Sequence, residues 1–195
     1  LKKIVGISVI SIIVIILSII IYQYIQENKN EHQRALKVDL YLKAAKSGDL
    51  ERIKDLTKEV GVVEYALFEA IFNDHEQIVE YLLNSGVNPN LNYDDDIQES
   101  ALGIASGKQD IKIAKLLIDA GANVNYKDKY NFTPLIRAAE EQYTSVEMLK
   151  LLVDNGADWR SKNIYNDTAY ELSLRYTDSG RESDEIKIKY LEGLH

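Results

Sequence analysis

Apolar residues keep two different rhythms along this chain. From Ile4 to Tyr22 the run IVGISVISIIVIILSIIIY carries no charge and places apolar residues on every side of any helix it forms. A buried core helix rarely has that length and that all-round character. About 20 such residues cross the hydrocarbon core of a bilayer, and a single span in lipid must be helical because its backbone has to satisfy its own hydrogen bonds. Tyr22 and Tyr24 fall where an interfacial aromatic belt belongs. The pattern predicts a transmembrane helix within residues 1–25, with membrane contact through 4–25, and a juxtamembrane linker at 26–35. From residue 36 onward the apolar positions return in short bursts at helical spacing, each closed by a glycine.

These bursts repeat. Residues 98–106 read QESALGIAS, 131–139 read NFTPLIRAA and 166–174 read NDTAYELSL. Leu67, Leu102 and Leu135 align, as do Ala70, Ala105 and Ala138, and Gly86, Gly121 and Gly156 stand 35 residues apart. Each unit holds a first apolar stretch and then a second, HEQIVEYLLNSG, DIKIAKLLIDAG or SVEMLKLLVDNG. The closing glycine suits the left-handed position after a helix. Thr133 is placed to cap the first helix of its unit, and Pro134 follows at the first helical position, where its missing N–H costs nothing. Thr144 with Glu147 has the spacing of a capping box for a second helix. The small alanines let paired helices approach closely. A self-similar period in this range is the mark of a solenoid, in which each unit buries its apolar face only against its neighbours.

The sequences TPL at 133–135, Ala138-Ala139 and LLVDNGAD at 151–158 resemble an ankyrin repeat. Units run over 63–96, 97–129 and 130–162. AAKSGDLERIKDL (44–56) resembles a degenerate N-terminal repeat, and NDTAYELSLRY with IKIKYLEG resembles a C-terminal capping repeat. The resemblance implies an all-α ankyrin solenoid over 36–195, with helix pairs joined by finger loops. The family's histidine after TPL is Ile136 here, Gly103 in the preceding unit and Glu171 in the last. The hydrogen bond that this histidine and the motif threonine usually make is therefore expected to be missing. His75 matches the position before a second helix where ankyrin repeats commonly carry His.

In this family the fingers and the concave row of first helices usually carry the contacts. Carried onto this chain, the finger positions are Asp96, Ile97 and Glu99, then Lys127, Lys129, Tyr130 and Phe132, then Lys162, Ile164, Tyr165 and Asp167. The first-helix positions are Phe72, Asn73, Lys108, Glu140, Glu141 and Arg175 with Tyr176, and Tyr126 and Trp159 lie in the same loops. Aromatic and arginine side chains dominate interface hot spots. The Tyr130, Phe132, Trp159 and Tyr165 group either meets a partner or packs against adjacent fingers.

Charge narrows the partner. The chain's net charge is −8, and because Lys2 and Lys3 are the only charges before Glu27, the rest carries −10. Nucleic acid needs clustered Lys and Arg, so it is excluded in favour of a protein with a basic surface. In the loop NPNLNYDDDIQE (88–99), oxygen-bearing residues at Asn88, Asn90, Asn92, Asp94, Asp96 and Glu99 follow the spacing of a calcium loop. Tyr93 stands where that motif needs glycine, which favours a solvated acidic finger and no metal. His75-Glu76 begins an HExxH pattern, but Val79 fills the second His position. No nucleophile motif, phosphate-binding glycine loop or cysteine is present. No enzyme activity and no cofactor are expected.

The apolar run exceeds a signal peptide's core and lacks a small-x-small cleavage site, so an uncleaved anchor is expected. Two lysines precede it, and Lys29, Arg34 and Lys37 follow it, nearly a tie by the positive-inside rule. The short basic start resembles a bacterial signal anchor and puts the repeats outside the cytoplasm, in the periplasm. The function expected is a single-pass, membrane-anchored protein-interaction module, of the kind seen in immunity proteins that neutralise antibacterial toxins. A host-interaction ankyrin protein and a structural component of an envelope complex stay open as alternatives.

Overall fold

The computed structural model describes residues 9–93, 96–140, 145–175 and 182–194. The regular elements there are helices. The chain divides into two compact units, Leu1–Leu40 and Tyr41–His195.

Helix α1 runs from Val9 to Ser47. It contains neither Gly nor Pro, so nothing breaks it, and residues 26–35, expected as a linker, are helical. In the first unit Ile13, Val14, Ile15, Ile16 and Leu17 are all exposed. Five consecutive helical residues cover every side of the cylinder, so no side of this stretch is covered within the unit. The Ser18 hydroxyl donates to the Val14 carbonyl at 2.8 Å, which satisfies it inside the helix. Among the described residues no helix is long and apolar enough to cross a membrane. The charge-free run expected to do so starts at Ile4, and residues 4–8 lie outside the described residues.

The second unit is a stack of helix pairs. The end of α1 buries Tyr41, Ala44 and Ala45 and is followed by α2 (Leu50–Val60). Four pairs follow: α3 (Ala66–Phe72) with α4 (Glu76–Asn84), α5 (Ala101–Gly107) with α6 (Ile111–Asp119), α7 (Pro134–Glu140) with α8 (Val146–Asp154), and α9 (Ala169–Arg175) with α10 (Glu182–Glu192). The first helices α3, α5, α7 and α9 touch in sequence and form one row; α4, α6, α8 and α10 form the other. Ala70, Ala105 and Ala138 are fully buried on the first-helix row. Leu67, Leu102 and Leu135 are buried beside them. A side chain larger than alanine at those three positions would push the rows apart.

The element ends follow the local chemistry. Gly86, Gly121 and Gly156 take φ of 90°, 92° and 88° just past the second helices. Nothing crowds the space a Cβ would fill there, so backbone conformation alone selects glycine. Ser100 and Thr133 cap first helices, accepting from Gly103 N at 3.0 Å and Ile136 N at 3.2 Å. Ser145 caps α8 by accepting from Met148 N at 3.2 Å. The cap expected from Thr144 lies outside the described residues, and Ser145, not Thr144, is the residue at the cap position. In the last unit the bond thought to be missing with the family's histidine is present in another form. Glu171 Oε2 accepts from the Thr168 hydroxyl at 2.8 Å and from Thr168 N at 2.6 Å. Thr168 Oγ1 in turn accepts from Glu171 N at 3.3 Å, so a carboxylate three residues after the capping threonine closes a reciprocal capping box.

Polar side chains stitch each unit to the next. Asn90 donates to the Gly121 carbonyl at 3.1 Å and accepts from Asn123 N at 2.7 Å. Asn125, one repeat on, does the same with the Gly156 carbonyl at 2.9 Å and Asp158 N at 2.7 Å. Gln109 holds Ser145 N at 3.1 Å, and Lys108 reaches back to the Phe72 carbonyl at 3.0 Å. The His75 ring nitrogen Nε2 meets the Lys46 carbonyl at 2.9 Å, a structural role consistent with its position before α4.

Candidate partner-binding surface

Three hairpin tips line up beside the row of first helices. Gln98, Asn131 and Asn166 turn each tip with φ of 58°, 57° and 66°, a conformation that Asn tolerates better than most residues. One side chain then ties each of the last two loops. Asp128 Oδ1 accepts from Tyr130 N at 2.8 Å and Phe132 N at 2.9 Å. Asn163 Oδ1 accepts from Tyr165 N at 2.9 Å and Asp167 N at 3.0 Å. Neighbouring tips are bonded through their backbones, Lys129 N to Ile97 O and Ile164 N to Tyr130 O, both at 3.0 Å. The fingers therefore form one braced edge.

Where this edge meets the helices there is a pocket of about 450 Å³. Ile97, Tyr130 and Tyr165 wall it on the finger side, and Arg137, Glu140 and Arg175 on the helix side, over Phe132 and Leu172. Arg137 organises the helix side. It pairs with Asp128 and with Glu140 at 3.3 Å, and its guanidinium lies 4.3 Å from the Phe132 ring centroid. Its Nε comes within 3.1 Å of Glu99 Oε1, but the angle is poor and Nε makes no hydrogen bond, so that contact is coulombic. Burial opposes the charge on Arg137; the three carboxylates outweigh it and hold its pKa above the ordinary value. Arg175 is gripped by both oxygens of Asp167 at 2.8 Å, the fork geometry that makes arginine–carboxylate pairs specific.

Of the residues expected from the sequence, Ile97, Tyr130, Phe132, Glu140, Tyr165 and Arg175 meet at this pocket. Phe132 and Asp167 are buried. Phe132 carries the Arg137 guanidinium and Asp167 anchors Arg175, so both serve as framework and not as an exposed rim. Glu99 stands behind Arg137. Phe72 and Asn73 lie at the other end of the row, where the Phe72 and Tyr93 ring centroids are 5.1 Å apart and Tyr93 also meets Tyr65 and Phe68. Lys108 is occupied with Asp74 at 3.1 Å. Asp96, Lys127, Lys129, Lys162 and Ile164 are exposed along the fingers. Trp159 sits in the turn after α8 with the Arg160 guanidinium 4.1 Å from its ring centroid, away from the pocket. Tyr126 donates its hydroxyl to the Gln98 carbonyl at 3.0 Å, and burial with the nearby Asp128 raises its pKa. Glu141 and Tyr176 lie outside the described residues.

Sequence reasoning missed Arg137, Leu172 and the Tyr65–Phe68–Tyr93 cluster. A signal for Arg137 existed: its repeat equivalents are Ile104 and Leu172, so a charge interrupts an otherwise apolar register. In the 88–99 loop, Asn88 Oδ1 accepts from Asn90 N at 3.0 Å while Asn90 reaches the next unit. Those oxygens are spent on backbone, and Asp94 lies outside the described residues. Among the described residues no group of three His, Cys, Asp or Glu side chains could hold a metal ion.

Stacked helix pairs with a braced finger edge define a repeat scaffold that presents a surface, with no assembled reaction centre among the described residues. A family model for ankyrin repeats, three copies long, matches residues 40–128 and again 67–163. The chain belongs to the ankyrin-repeat family, and its repeats constitute a protein–protein interaction module of a typically non-catalytic kind.

Proposed function

We propose that this chain is a membrane-anchored binding protein that grips one protein partner along its finger edge and first-helix row, with the pocket between Tyr130 and Tyr165 at the centre of contact. The single observation that carries this reading is the pocket itself, where two tyrosines, a phenylalanine and two arginines converge. Those residue types concentrate binding energy at protein interfaces. The anchor is residues 4–25, supported by the uncharged Ile-rich run and by the exposed apolar side chains around α1. The acidic net charge of −8 favours a partner with a basic surface.

The test is affinity purification of the full chain from its own membranes, followed by reconstitution with the purified partner. Tyr130→Ala with Tyr165→Ala is expected to weaken the complex at least about a hundredfold, as loss of two hot-spot residues does. Wild-type affinity in the double variant would refute the site. A narrower role follows: neutralisation of an antibacterial toxin outside the cytoplasm, supported by the small acidic binder joined to an uncleaved anchor. It requires that the captured partner be a toxin whose activity the full chain suppresses. A partner without toxicity would remove that role, and a compartment reporter fused after His195 that is active only in the cytoplasm would remove the periplasmic placement.

A further inference from the structure

Resting on that docking face, we infer that the pocket between the second and third fingers receives a cationic side chain, arginine or lysine, from the partner protein. The pocket already holds one guanidinium by the chemistry it would use for a second. Arg137 lies over the Phe132 ring at 4.3 Å and is met by carboxylates on three sides. Tyr165 remains 66% exposed on the opposite wall, and Tyr130 is half-buried beside it. A cation over such rings gains from their negative faces, and more as it is desolvated.

Charge decides the sign of the occupant. Arg137 and Arg175 are set against Glu99, Asp128, Glu140 and Asp167, two positive charges against four negative ones. Counting Lys129, whose Nζ is 6.0 Å from the Tyr130 centroid, leaves the surplus negative. Glu140 is the carboxylate on the pocket wall, and its side chain keeps 31% exposure. An entering carboxylate would meet Glu140 and find both terminal nitrogens of Arg175 turned onto Asp167. An entering ammonium or guanidinium finds an acceptor and aromatic walls.

The probes are acetyl-arginine methylamide, acetyl-glutamate methylamide and acetyl-leucine methylamide. Each is titrated into the ¹⁵N-labelled full chain in detergent micelles. The arginine probe is expected to shift the amide resonances of Tyr130, Phe132, Ile164 and Tyr165, and to bind at least about fivefold tighter than the other two, as a charge-paired contact of modest strength would. Glu140→Gln should weaken that probe about fivefold. Tyr165→Ala, at an exposed ring that the fold does not need, should weaken it similarly. Equal response to all three probes, preference for the glutamate probe, or unchanged binding in both variants overturns the cationic occupant. Failure here is separable from failure of the docking face. If Tyr165→Ala still breaks the reconstituted complex while no probe discriminates by charge, the face stands and this occupant falls. If the complex ignores Tyr130→Ala and Tyr165→Ala together, the face falls first.

Discussion

The second and third fingers do one job with two divisions of labour. In the second, the single carboxylate of Asp128 ties two backbone amides and neutralises Arg137. In the third, Asn163 ties the equivalent amides, and the charge duty passes to Asp167, which holds Arg175. The loop geometry is the same, with Asn131 and Asn166 both at positive φ. The backbone requirement, an acceptor aimed at two N–H groups, is thus what each repeat must keep. The ion pair is a variable laid over it, buried in one finger and half-exposed in the other.

Substitutions can pull these duties apart. The largest loss is expected for Asp128→Ala, which frees two amides and takes from a mostly buried guanidinium its most deeply buried carboxylate, leaving Glu99 and Glu140 to hold it; about 3–4 kcal/mol of stability should disappear in urea unfolding of the full chain. Asn163→Ala removes the same two backbone bonds without stranding a charge, so about 1–2 kcal/mol is expected. Asp128→Asn makes the second finger imitate the third. It keeps the amide acceptor and loses the ion pair, leaving Glu99 and Glu140 to hold Arg137, and about 1–2 kcal/mol should go. A loss as large as that of Asp128→Ala would mean that charge, not loop bracing, dominates. Asp167→Asn breaks a pair whose arginine side chain is 55% exposed, so about 0.5 kcal/mol is the expected change.

The last prediction is an absence of change. Arg137 has a folded-state pKa above its ordinary value, so its contribution is fully present below the unfolded pKa and is lost only as pH rises through the folded one. Both lie far above the pH range in which proteins are ordinarily studied. The gap between wild type and Asp128→Asn in urea midpoints should therefore be equal at about pH 6.5 and about pH 9.5. A gap that closes at the higher pH would point to a titrating group other than Arg137.

The parts of this molecule that the sequence disclosed are those governed by short-range rules. Leucine and alanine register, the glycine after each second helix and the capping Thr133 are local, so their periodicity carried the fold. The finger and first-helix positions were legible for the same reason, and four of the former and two of the latter line one pocket. Which of them point outward was not legible. Phe132 and Asp167 occupy equivalent positions and both are buried, Phe132 under the Arg137 guanidinium and Asp167 against Arg175, contacts between finger and first helix that the repeat pattern does not encode. Lys187 is fully buried in α10 while Lys189 nearby is exposed, and nothing in the local sequence separates them. The Tyr65–Phe68–Tyr93 cluster closes the first unit onto its own loop and stayed hidden because Tyr93 lies in a lengthened loop outside the repeat register.

The asparagine stitches have a direction. Asn90 and Asn125 each reach toward the C-terminal neighbour, and the corresponding place in the following unit is Arg160. An extra unit copied from residues 88–122 and grafted just ahead of Asn123 would find an outstretched amide before it and offer one behind. The same graft placed after Arg160 would have no hand to take. Growth of this protein by duplication is therefore favoured in the middle of the array and hindered at its far end.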